Sequence, residues 1–343
     1  MYTKHKIFYN DARKMDYIKS NSVDLMITSP PYPMISMWDK MFTEQNKKIG
    51  TEIEKSDGKK AFELMHKELD KVWAETYRVL KDGGFACINI GDATRTINGN
   101  FQLYPNHARI INYCFEIGFD VLPSIIWRKQ TNAPNKFMGS GMLPAGAYMT
   151  LEHEYILIFR KGEKRLHTTN EQKEKRRESS FFWEERNLWF SDIWFDIKGT
   201  KQKLLDDKIR ERSAAFPLEL VYRLINMYSV KGDTVLDPYL GTGTTTMASI
   251  ISERNSIGVE IEKEFNKTVN QLLDCAVEVS EKNIDQRVGE HKKFVEKDKD
   301  RKFKYKNKKY NFAVISKSEE EIIFNKLDKI EKISENEYEA HYK

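Results

Sequence analysis

A loop with two consecutive prolines follows an apolar stretch near the start of the chain. Thr28-Ser29-Pro30-Pro31-Tyr32 comes directly after the apolar residues 23–27. Each proline fixes its φ angle and lacks a backbone N–H, while its carbonyl oxygen still accepts hydrogen bonds. Ser29 and the Pro30 carbonyl can therefore hold the two N–H donors of an exocyclic base amine, and Tyr32 offers a ring on which an extruded base could stack. A simple strand-ending turn explains the same residues, and this loop alone does not choose between the two.

A glycine-rich stretch in the second half of the chain has the composition of a loop that binds an adenosine cofactor. Asp237-Pro238-Tyr239-Leu240-Gly241-Thr242-Gly243-Thr244 joins a predicted strand to a predicted helix. Gly241 and Gly243 permit positive φ angles and a close approach of the backbone to a ligand. Glu260 follows the next predicted strand, where nucleotide-binding sheets place a carboxylate for the ribose hydroxyls.

The same loop lacks the residues that bind phosphate. A P-loop requires Lys after its last glycine, where Thr244 stands, and the dinucleotide fingerprint requires a third glycine, where Thr246 stands. S-adenosylmethionine has no phosphate and carries a sulfonium and an ammonium group, so the acidic Asp237 suits it. A dehydrogenase site and a purely structural glycine turn remain open on these residues alone.

Length and charge limit the classes of protein that fit. The chain has 343 residues and a net charge of +5, which permits a polyanionic partner without requiring one. No apolar run approaches the roughly 20 residues of a membrane span. The N-terminus lacks the residue order of a secretory signal. We therefore expect a cytoplasmic protein with no membrane partner.

Short apolar strands alternate with amphipathic helices along most of the chain, a pattern that predicts an α/β fold with a mostly parallel sheet and helices on both faces. The predicted strands are 23–28, 85–90, 120–127, 154–159, 234–236 and 257–259, and the predicted helices are 62–80, 107–117, 217–228, 244–254 and one that ends at 273. Residues 160–203 interrupt this pattern with charged stretches and seven aromatic residues, which indicates an inserted segment.

The motifs TSPPY and LDPYLGTGTT, with RSAAFPLELVYRLI just before the second, resemble those of the amino-methylating DNA methyltransferases of the β arrangement. In that arrangement the catalytic motif precedes the target-recognition segment and the cofactor motif follows it, as here. The resemblance extends from Lys6 to about Leu273. It implies a Rossmann-like S-adenosylmethionine-dependent methyltransferase fold and an enzyme of the type II restriction-modification style.

The resemblance also implies roles for individual residues. The target base would be held by Ser29, Pro30, Pro31 and Tyr32. The methionine part of S-adenosylmethionine would be lined by Asp237, Tyr239, Gly241, Gly243 and Thr244, and its ribose would be bound by Glu260. The cofactor would be covered from the other side by Ala215, Phe216, Pro217 and Leu218. Asp11 matches a position that faces the adenine, and a helix N-cap is an equal alternative for it.

The resemblance divides the chain into a catalytic half (1–159), a target-recognition segment (160–203), a cofactor-binding half (204–274) and a C-terminal extension of unassigned role (275–343). Within the recognition segment, the basic residues expected to contact double-stranded DNA are Lys175, Arg176 and Arg177. The stretch 132–150 and the basic stretch 282–309 are the alternatives. A cognate restriction endonuclease and a homodimer are further partners that the sequence leaves open.

The cysteines disfavour one type of methylation. Cys87, Cys114 and Cys275 are few and widely spaced, so we expect reduced thiols. None follows a proline, whereas methylation at carbon-5 of cytosine needs a cysteine nucleophile in a Pro-Cys setting. A direct transfer to an exocyclic amine of a flipped base, with no metal, remains.

Ser29 favours cytosine N4 over adenine N6 as the methylated atom. Family members whose catalytic motif begins with Ser mostly modify cytosine, and a hydroxyl can both accept from the amine and donate to the neighbouring ring nitrogen. N6-adenine methylation is the alternative. An RNA methyltransferase and an inactive DNA-binding module are the remaining alternative functions.

Overall fold

The computed structural model describes residues 1–129, 138–199, 216–297 and 303–343. In these ranges the strands are β1 Tyr2–Tyr9, β2 Val23–Thr28, β3 Leu80–Ile90, β4 Ala93–Ile97, β5 Asn100–Tyr104, β6 Phe119–Arg128, β7 Met138–Gly139, β8 Ala147–Tyr148, β9 His153–Lys161, β10 Ile193–Trp194, β11 Thr234–Asp237, β12 Asn255–Glu260, β13 Tyr305–Lys306, β14 Ala313–Val314, β15 Leu327–Ser334 and β16 Glu337–Tyr342.

The helices of the same ranges are α1 Asp39–Gln45, α2 Lys47–Glu54, α3 Gly58–Val79, α4 Asn106–Glu116, α5 Asn170–Glu178, α6 Trp183–Trp189, α7 Leu218–Tyr228, α8 Thr244–Ile251, α9 Phe265–Asp274 and α10 Ala276–Lys297. None of these described helices combines the length and the apolar character needed to cross a lipid bilayer.

Ten strands form one sheet in the order β10-β6-β9-β3-β2-β11-β12-β1-β16-β15. The five central strands, from β3 to β1, run parallel to one another. Antiparallel strands occur on both sides of this centre: β9 lies between β3 and β6, and β16 and β15 continue the sheet beyond β1. The predicted parallel sheet is thus confirmed at the centre, and the whole sheet is mixed.

Helices cover both faces of the sheet, as predicted. Leu25 and Ile27 of β2 pack in one hydrophobic cluster with Leu220 and Leu224 of α7, whereas Met26 packs in the cluster that contains α3 and α4. Successive residues of a strand point to opposite faces. A strand covered on both sides is mostly apolar, as β2 is apart from Asp24 and Thr28, and this made β2 recognisable from its sequence.

The ends of several elements differ from the predictions for local reasons. Helix α3 begins at Gly58, before the predicted start at residue 62, because the Asp57 side chain caps it by accepting from the N–H of Lys60. Residues 81–84, which separate the predicted helix 62–80 from the predicted strand 85–90, lie inside β3, at an irregularity in its pairing with β2 where Gly83 has a φ of +77°. Pro217 is the N-cap of α7, not its first residue.

Strand β1 and the C-terminal hairpin of β15 and β16 are not among the predicted elements. β1 pairs with β12 on one side and with β16 on the other, so the two ends of the chain meet inside the sheet. Helix α10 packs against β15 and α8. Strands β15 and β16 therefore belong to the main sheet and α10 to its helical layer, whereas β13 and β14 form a separate two-stranded sheet. The division at residue 275 stays a prediction.

Three of the seven aromatic residues of the segment 160–203 are buried. Phe182, Trp189 and Trp194 are at most 4% exposed, and β10 joins the sheet by pairing with β6. Trp194 and Trp189 fill hydrophobic clusters of the main sheet and its helices, whereas Phe182 packs with Val314 and Ile322 in a separate small cluster. These three side chains are therefore core residues, and the bounds of the inserted segment stay a prediction. Residues 200–203 lie outside the described residues.

Helix α6 of this segment is fixed by a buried ion pair. Arg287 of α10 donates from Nε and Nη2 to the two carboxylate oxygens of Glu185 at 2.5 and 2.6 Å, and from Nη1 to the hydroxyl of Tyr222 at 2.9 Å. Both charged side chains are about nine-tenths buried. The guanidinium therefore connects α10, α6 and α7.

We expect Arg287→Met to lower the free energy of unfolding by about 3–5 kcal/mol, because it leaves Glu185 buried without its cation. Urea denaturation measures the change. Lys292→Met on the exposed side of the same helix is the matched control and should cost less than about 0.5 kcal/mol. Similar losses in both variants would contradict a stabilising role for the ion pair.

Candidate active site at the carboxyl edge of the sheet

Four strands of the sheet end around one cavity. Residues 10–13 follow β1, residues 29–31 follow β2, residues 237–242 end and follow β11, and residues 259–262 end and follow β12; all of these ranges line the cavity. Parallel α/β sheets bind ligands at this carboxyl edge, because the loops after the strands converge there. The apolar side chains that complete the wall are Trp38, Met41, Phe216 and Phe265.

The carboxylate of Asp237 is at the centre of the site and is 1% exposed. Its Oδ1 accepts from the hydroxyl of Thr28 at 2.7 Å and from the backbone N–H of Tyr239 at 3.0 Å, and its Oδ2 accepts from the hydroxyl of Thr245 at 2.6 Å. Burial raises the pKa of Asp237 to about 6, although the hydrogen bonds oppose this shift. The carboxylate joins the end of β2 to the glycine loop and to α8.

The two glycines of the loop have different structural roles. Gly241 has a φ of +53°, and an added Cβ would meet no atom within 4 Å, so this backbone is open towards the space in front of it. Gly243 has a φ of +91° at the N-cap of α8, and a Cβ there would lie 3.1 Å from Val269. Gly241, Tyr239 and Thr244 line the cavity, whereas Gly243 supports the loop from behind.

Glu260 holds the same loop from the next strand. Its Oε2 accepts from the N–H of Gly241 at 2.8 Å, and its Oε1 accepts from the N–H of Glu262 at 3.0 Å. Burial raises the pKa of Glu260. The carboxylate lines the cavity, and each oxygen keeps a lone pair beyond these bonds.

Asp11 also lines the cavity and forms an ion pair with Arg13, whose Nη1 also donates to Glu68 at 2.6 Å. Burial alone would raise the pKa of Asp11, but the hydrogen bonds from Arg13 outweigh it and lower the pKa. No described helix begins directly after Asp11, so the N-cap alternative is wrong; its Oδ1 instead accepts from the N–H of Arg13 in a local turn.

The four residues expected to cover the cofactor separate into three cases. Phe216 is 8% exposed and lines the cavity. Pro217 is the N-cap of α7 and Leu218 its first residue; neither lines the cavity, and Leu218 packs against two hydrophobic clusters instead. Ala215 lies outside the described residues.

Ser29, Pro30 and Pro31 line the cavity, and Ser29 is the first member of a hydrogen-bonded chain that leads away from it. The Ser29 Oγ is 3.2 Å from the hydroxyl of Tyr32, which donates to Oε2 of Glu154 at 2.9 Å. Asn89 donates from Nδ2 to the same Glu154 oxygen at 2.8 Å, and lies 2.9 Å from the Tyr32 hydroxyl. Lys129 donates to Oε1 of Glu154 at 2.8 Å.

Sequence reasoning missed Asn89, Lys129 and Glu154. Glu154 stands near the start of the antiparallel strand β9, so its side chain reaches the same edge as the ends of the parallel strands. Asn89 is 3% exposed, and its Oδ1 has no hydrogen-bond partner within the described part of the chain. The stretch Glu152-His153-Glu154-Tyr155-Ile156 also resembles the family's sequences, but only the pairing of β9 identifies Glu154 as the residue beside Tyr32.

The basic residues of α5 lie at the opposite edge of the sheet. Ser179, the residue after α5, accepts from the backbone N–H of Lys231 at 2.9 Å, and Lys231 precedes the start of β11. The cavity lies at the end of β11. DNA contact therefore stays a prediction for Lys175, Arg176 and Arg177, and their placement argues against contact with the part of a duplex that would meet the cavity.

Comparison with known proteins gives the family. Residues 23–271 match the sequence profile of the N6/N4 DNA methylases, described as DNA methylase. The chain belongs to this family of DNA methyltransferases, as its motifs predicted.

Relatives and solved structures agree. The type II methyltransferase M.MthZI of Methanothermobacter thermautotrophicus is 48% identical over 343 residues, which are 100% of this chain and 96% of that protein. M.MjaI of Methanocaldococcus jannaschii, also a type II methyltransferase, is 52% identical over 282 residues, 79% of this chain and 91% of that one. A DNA modification methylase of Thermus thermophilus, solved with S-adenosyl-L-methionine, aligns with a TM-score of 0.61 and 32% identity over 78% of this chain and 92% of its own. The predicted Rossmann-like methyltransferase fold is confirmed.

The raised pKa of Asp237 has a measurable effect on stability. Between its ordinary value of 3.8 and about 6 the folded protein keeps a proton that the unfolded chain has lost. The stability that protonated Asp237 contributes is therefore fully present below pH 3.8 and is lost as the pH rises to about 6. The free energy of unfolding falls by up to about 3 kcal/mol over this range. Asp237→Asn keeps an acceptor for Thr28 and Tyr239 but does not titrate.

We expect the unfolding free energy of wild type minus that of Asp237→Asn to fall between about pH 4 and about pH 6 and to be constant from about pH 7 to 8. Urea denaturation at each pH measures the difference. A pH-independent difference would show that Asp237 ionises normally in the folded protein.

Proposed function

We propose that this protein transfers the methyl group of S-adenosylmethionine to the N4 atom of a flipped cytosine in double-stranded DNA. Family membership accounts for the methylation of DNA, and the base, the atom and the flipping are our proposal. The observation that carries it is the position of Ser29, which lies on the cavity wall and is hydrogen-bonded to Tyr32 on its other side. A hydroxyl held in this way can orient an amine beside a cofactor site.

S-adenosylmethionine is the methyl donor, and the residues of the cavity fit it. Its adenosine needs an apolar wall and a carboxylate for the ribose hydroxyls, which Phe216, Phe265 and Glu260 supply. Its positive groups need acidic neighbours, which Asp11 and Asp237 supply. The open backbone at Gly241 leaves room for the ligand. When bound, S-adenosylmethionine supplies an electrophilic methyl group.

The chain of hydrogen bonds behind Ser29 sets the direction of its hydroxyl. Burial and then the nearby Glu154 carboxylate raise the pKa of Tyr32, so the phenol keeps its proton and donates it to Glu154. The phenol oxygen is then available to accept from the Ser29 hydroxyl at 3.2 Å. The lone pairs of Ser29, together with the Pro30 carbonyl, remain to accept the hydrogens of the target amine.

Orientation of the amine by acceptors is what the reaction needs. The nitrogen lone pair is delocalised into the base ring, and holding both N–H hydrogens lets that lone pair point at the methyl carbon. The amine loses one proton after methyl transfer. The Ser29 oxygen takes it while the Ser29 hydroxyl proton passes to the Tyr32 oxygen and the Tyr32 proton passes to the Glu154 carboxylate, which finally carries it. Ser29 would thus act in both positioning and proton acceptance.

We extend the type II restriction-modification role from M.MthZI and M.MjaI to this protein. The first aligns with the whole chain, and the second with most of it. In such a system the methyltransferase protects the DNA site that a cognate restriction endonuclease cleaves, so that endonuclease is the proposed functional partner.

Incubation with plasmid DNA and S-adenosylmethionine, followed by digestion to nucleosides and mass spectrometry, tests the proposal. We expect N4-methyldeoxycytidine. N6-methyldeoxyadenosine would overturn the base assignment and keep the direct transfer, and 5-methyldeoxycytidine would overturn both. S-adenosylmethionine at about 100 times its Kd should also stabilise the protein by about 2.7 kcal/mol.

Glu154→Gln tests the chain of hydrogen bonds. The new amide can donate to Tyr32, which reverses the direction of the bonds and turns the Ser29 hydrogen towards the target amine. We expect kcat to fall by about a hundredfold, comparable to the loss of one transition-state hydrogen bond, while the Kd of S-adenosylmethionine stays unchanged.

Glu152→Gln is the matched control. Glu152 precedes β9 and pairs with Arg128 on the surface at 3.1 Å, with both side chains more than a third exposed. It should leave kcat within about twofold of wild type. A Glu154→Gln enzyme with the kcat of this control would rule out a directing role for Glu154.

A further inference from the structure

A hairpin beside the active site presents its apolar side chains to solvent. β7 and β8 lie in the connection from β6 to β9, and both ends of this connection reach the site: Lys129 follows β6, Glu154 lies near the start of β9, and the two form an ion pair at 2.8 Å. Glu154 in turn accepts from the Tyr32 hydroxyl. The hairpin therefore projects from the carboxyl edge of the sheet, where a flipped base would enter.

The hairpin's exposed side chains are large and apolar. Met142 and Met149 are each 86% exposed, and Leu143 is 70% exposed. Met142 and Leu143 stand at a tight turn, in which the N–H of Leu143 donates to the carbonyl of Ser140 at 3.2 Å and the Ser140 hydroxyl donates to the carbonyl of Leu143 at 2.5 Å. Exposed apolar side chains gathered on one projection indicate a binding partner. We call Met142 and Leu143 the hairpin tip.

The base of the hairpin is held against its neighbours. Tyr148 stacks on Phe101 of the β4–β5 hairpin with ring centroids 4.3 Å apart and planes 15° from parallel. Arg95 of that second hairpin makes two hydrogen bonds to Asp39 of α1, whose helix lines the cavity. A Cβ at Gly139 would lie 2.1 Å from the carbonyl oxygen of Gly146, so only glycine fits there. The tip is thus presented at a defined place beside the cavity.

We propose that the hairpin tip inserts into the DNA duplex and occupies the space that the flipped target base leaves. This inference rests on the proposed function, because it requires a base to leave the duplex. Extrusion of a base costs a few kcal/mol in lost stacking and pairing. Apolar side chains such as Met and Leu enter base steps in other DNA-binding proteins and replace part of the lost contact.

The charge around the tip agrees with DNA better than with a second copy of this chain. Residues 138–149 contain no acidic residue, and the carboxylates at the base of the connection, Glu152 and Glu154, are paired with Arg128 and Lys129. The tip therefore carries no negative charge that would repel the phosphates flanking an opened base pair. A second copy of the chain is the other candidate occupant and is an outcome of the test.

The test combines Met142→Ser with Leu143→Ser in the full-length protein. The control combines Leu166→Ser with Ile333→Ser, which removes two apolar side chains that are 74% and 54% exposed away from the cavity. Each enzyme methylates two duplexes that carry the recognised site: one fully paired, and one with an abasic position opposite the target base, which weakens the pairing to be broken.

We expect the tip variant to lose at least about tenfold in kcat/KM on the paired duplex and to recover to within about threefold of wild type on the abasic duplex. The control should match wild type on both, and all three should bind S-adenosylmethionine equally. Full activity of the tip variant on the paired duplex would overturn the inference, and so would an equal loss on both duplexes.

Sedimentation of the free protein tests the other occupant. A wild type that sediments as a dimer and a tip variant that sediments as a monomer would overturn the inference and assign the tip to a contact between two copies. The inference and the proposed function fail in different ways. A wild-type enzyme that methylates neither duplex would overturn the proposed function itself, whereas an active wild type with an unaffected tip variant would overturn the inference alone.

Discussion

The buried carboxylate of Asp237 is the interaction on which the site depends. A carboxylate that is 1% exposed is tolerated only with several hydrogen bonds, and the donors that it collects come from three elements: Thr28 at the end of β2, Tyr239 in the glycine loop and Thr245 in α8. Ser29 directly follows Thr28. The same group therefore fixes the loop that would hold the cofactor and the loop that would hold the base, and their separation is set by side-chain hydrogen bonds.

The sheet makes this meeting geometrically possible. Thr28 and Asp237 are 209 positions apart in the chain, and the direct parallel pairing of β2 with β11 brings their strand ends to one edge. The antiparallel β9 then adds a residue from its opposite end, Glu154, to the same edge beside β3. A mixed sheet can thus supply an acidic residue to a site that is otherwise built from the ends of parallel strands.

The parts of the fold that were predicted correctly have strong local signals. β2 is buried at every position because both of its faces are covered, and the glycine loop carries its own turn residues. The elements that were missed lack such signals. In β1 and β16, buried positions alternate with positions that are at least partly exposed, so neither strand is a continuous apolar run. Two of the buried positions of β1 are the polar residues Thr3 and His5. Their strand identity comes from pairing between the two ends of the chain.

The sequence by itself determined the family, the two loops of the site and the residues on them, because these depend on residue type and short spacing. Only the tertiary structure decided the partners of those residues. Tyr32 and Asn89 link Ser29 to Glu154 because β2, β3 and β9 lie side by side in the sheet. Tertiary structure likewise decided the burial of Phe182, Trp189 and Trp194 and the attachment of α5 to the amino edge of the sheet, because both depend on packing that no local pattern encodes.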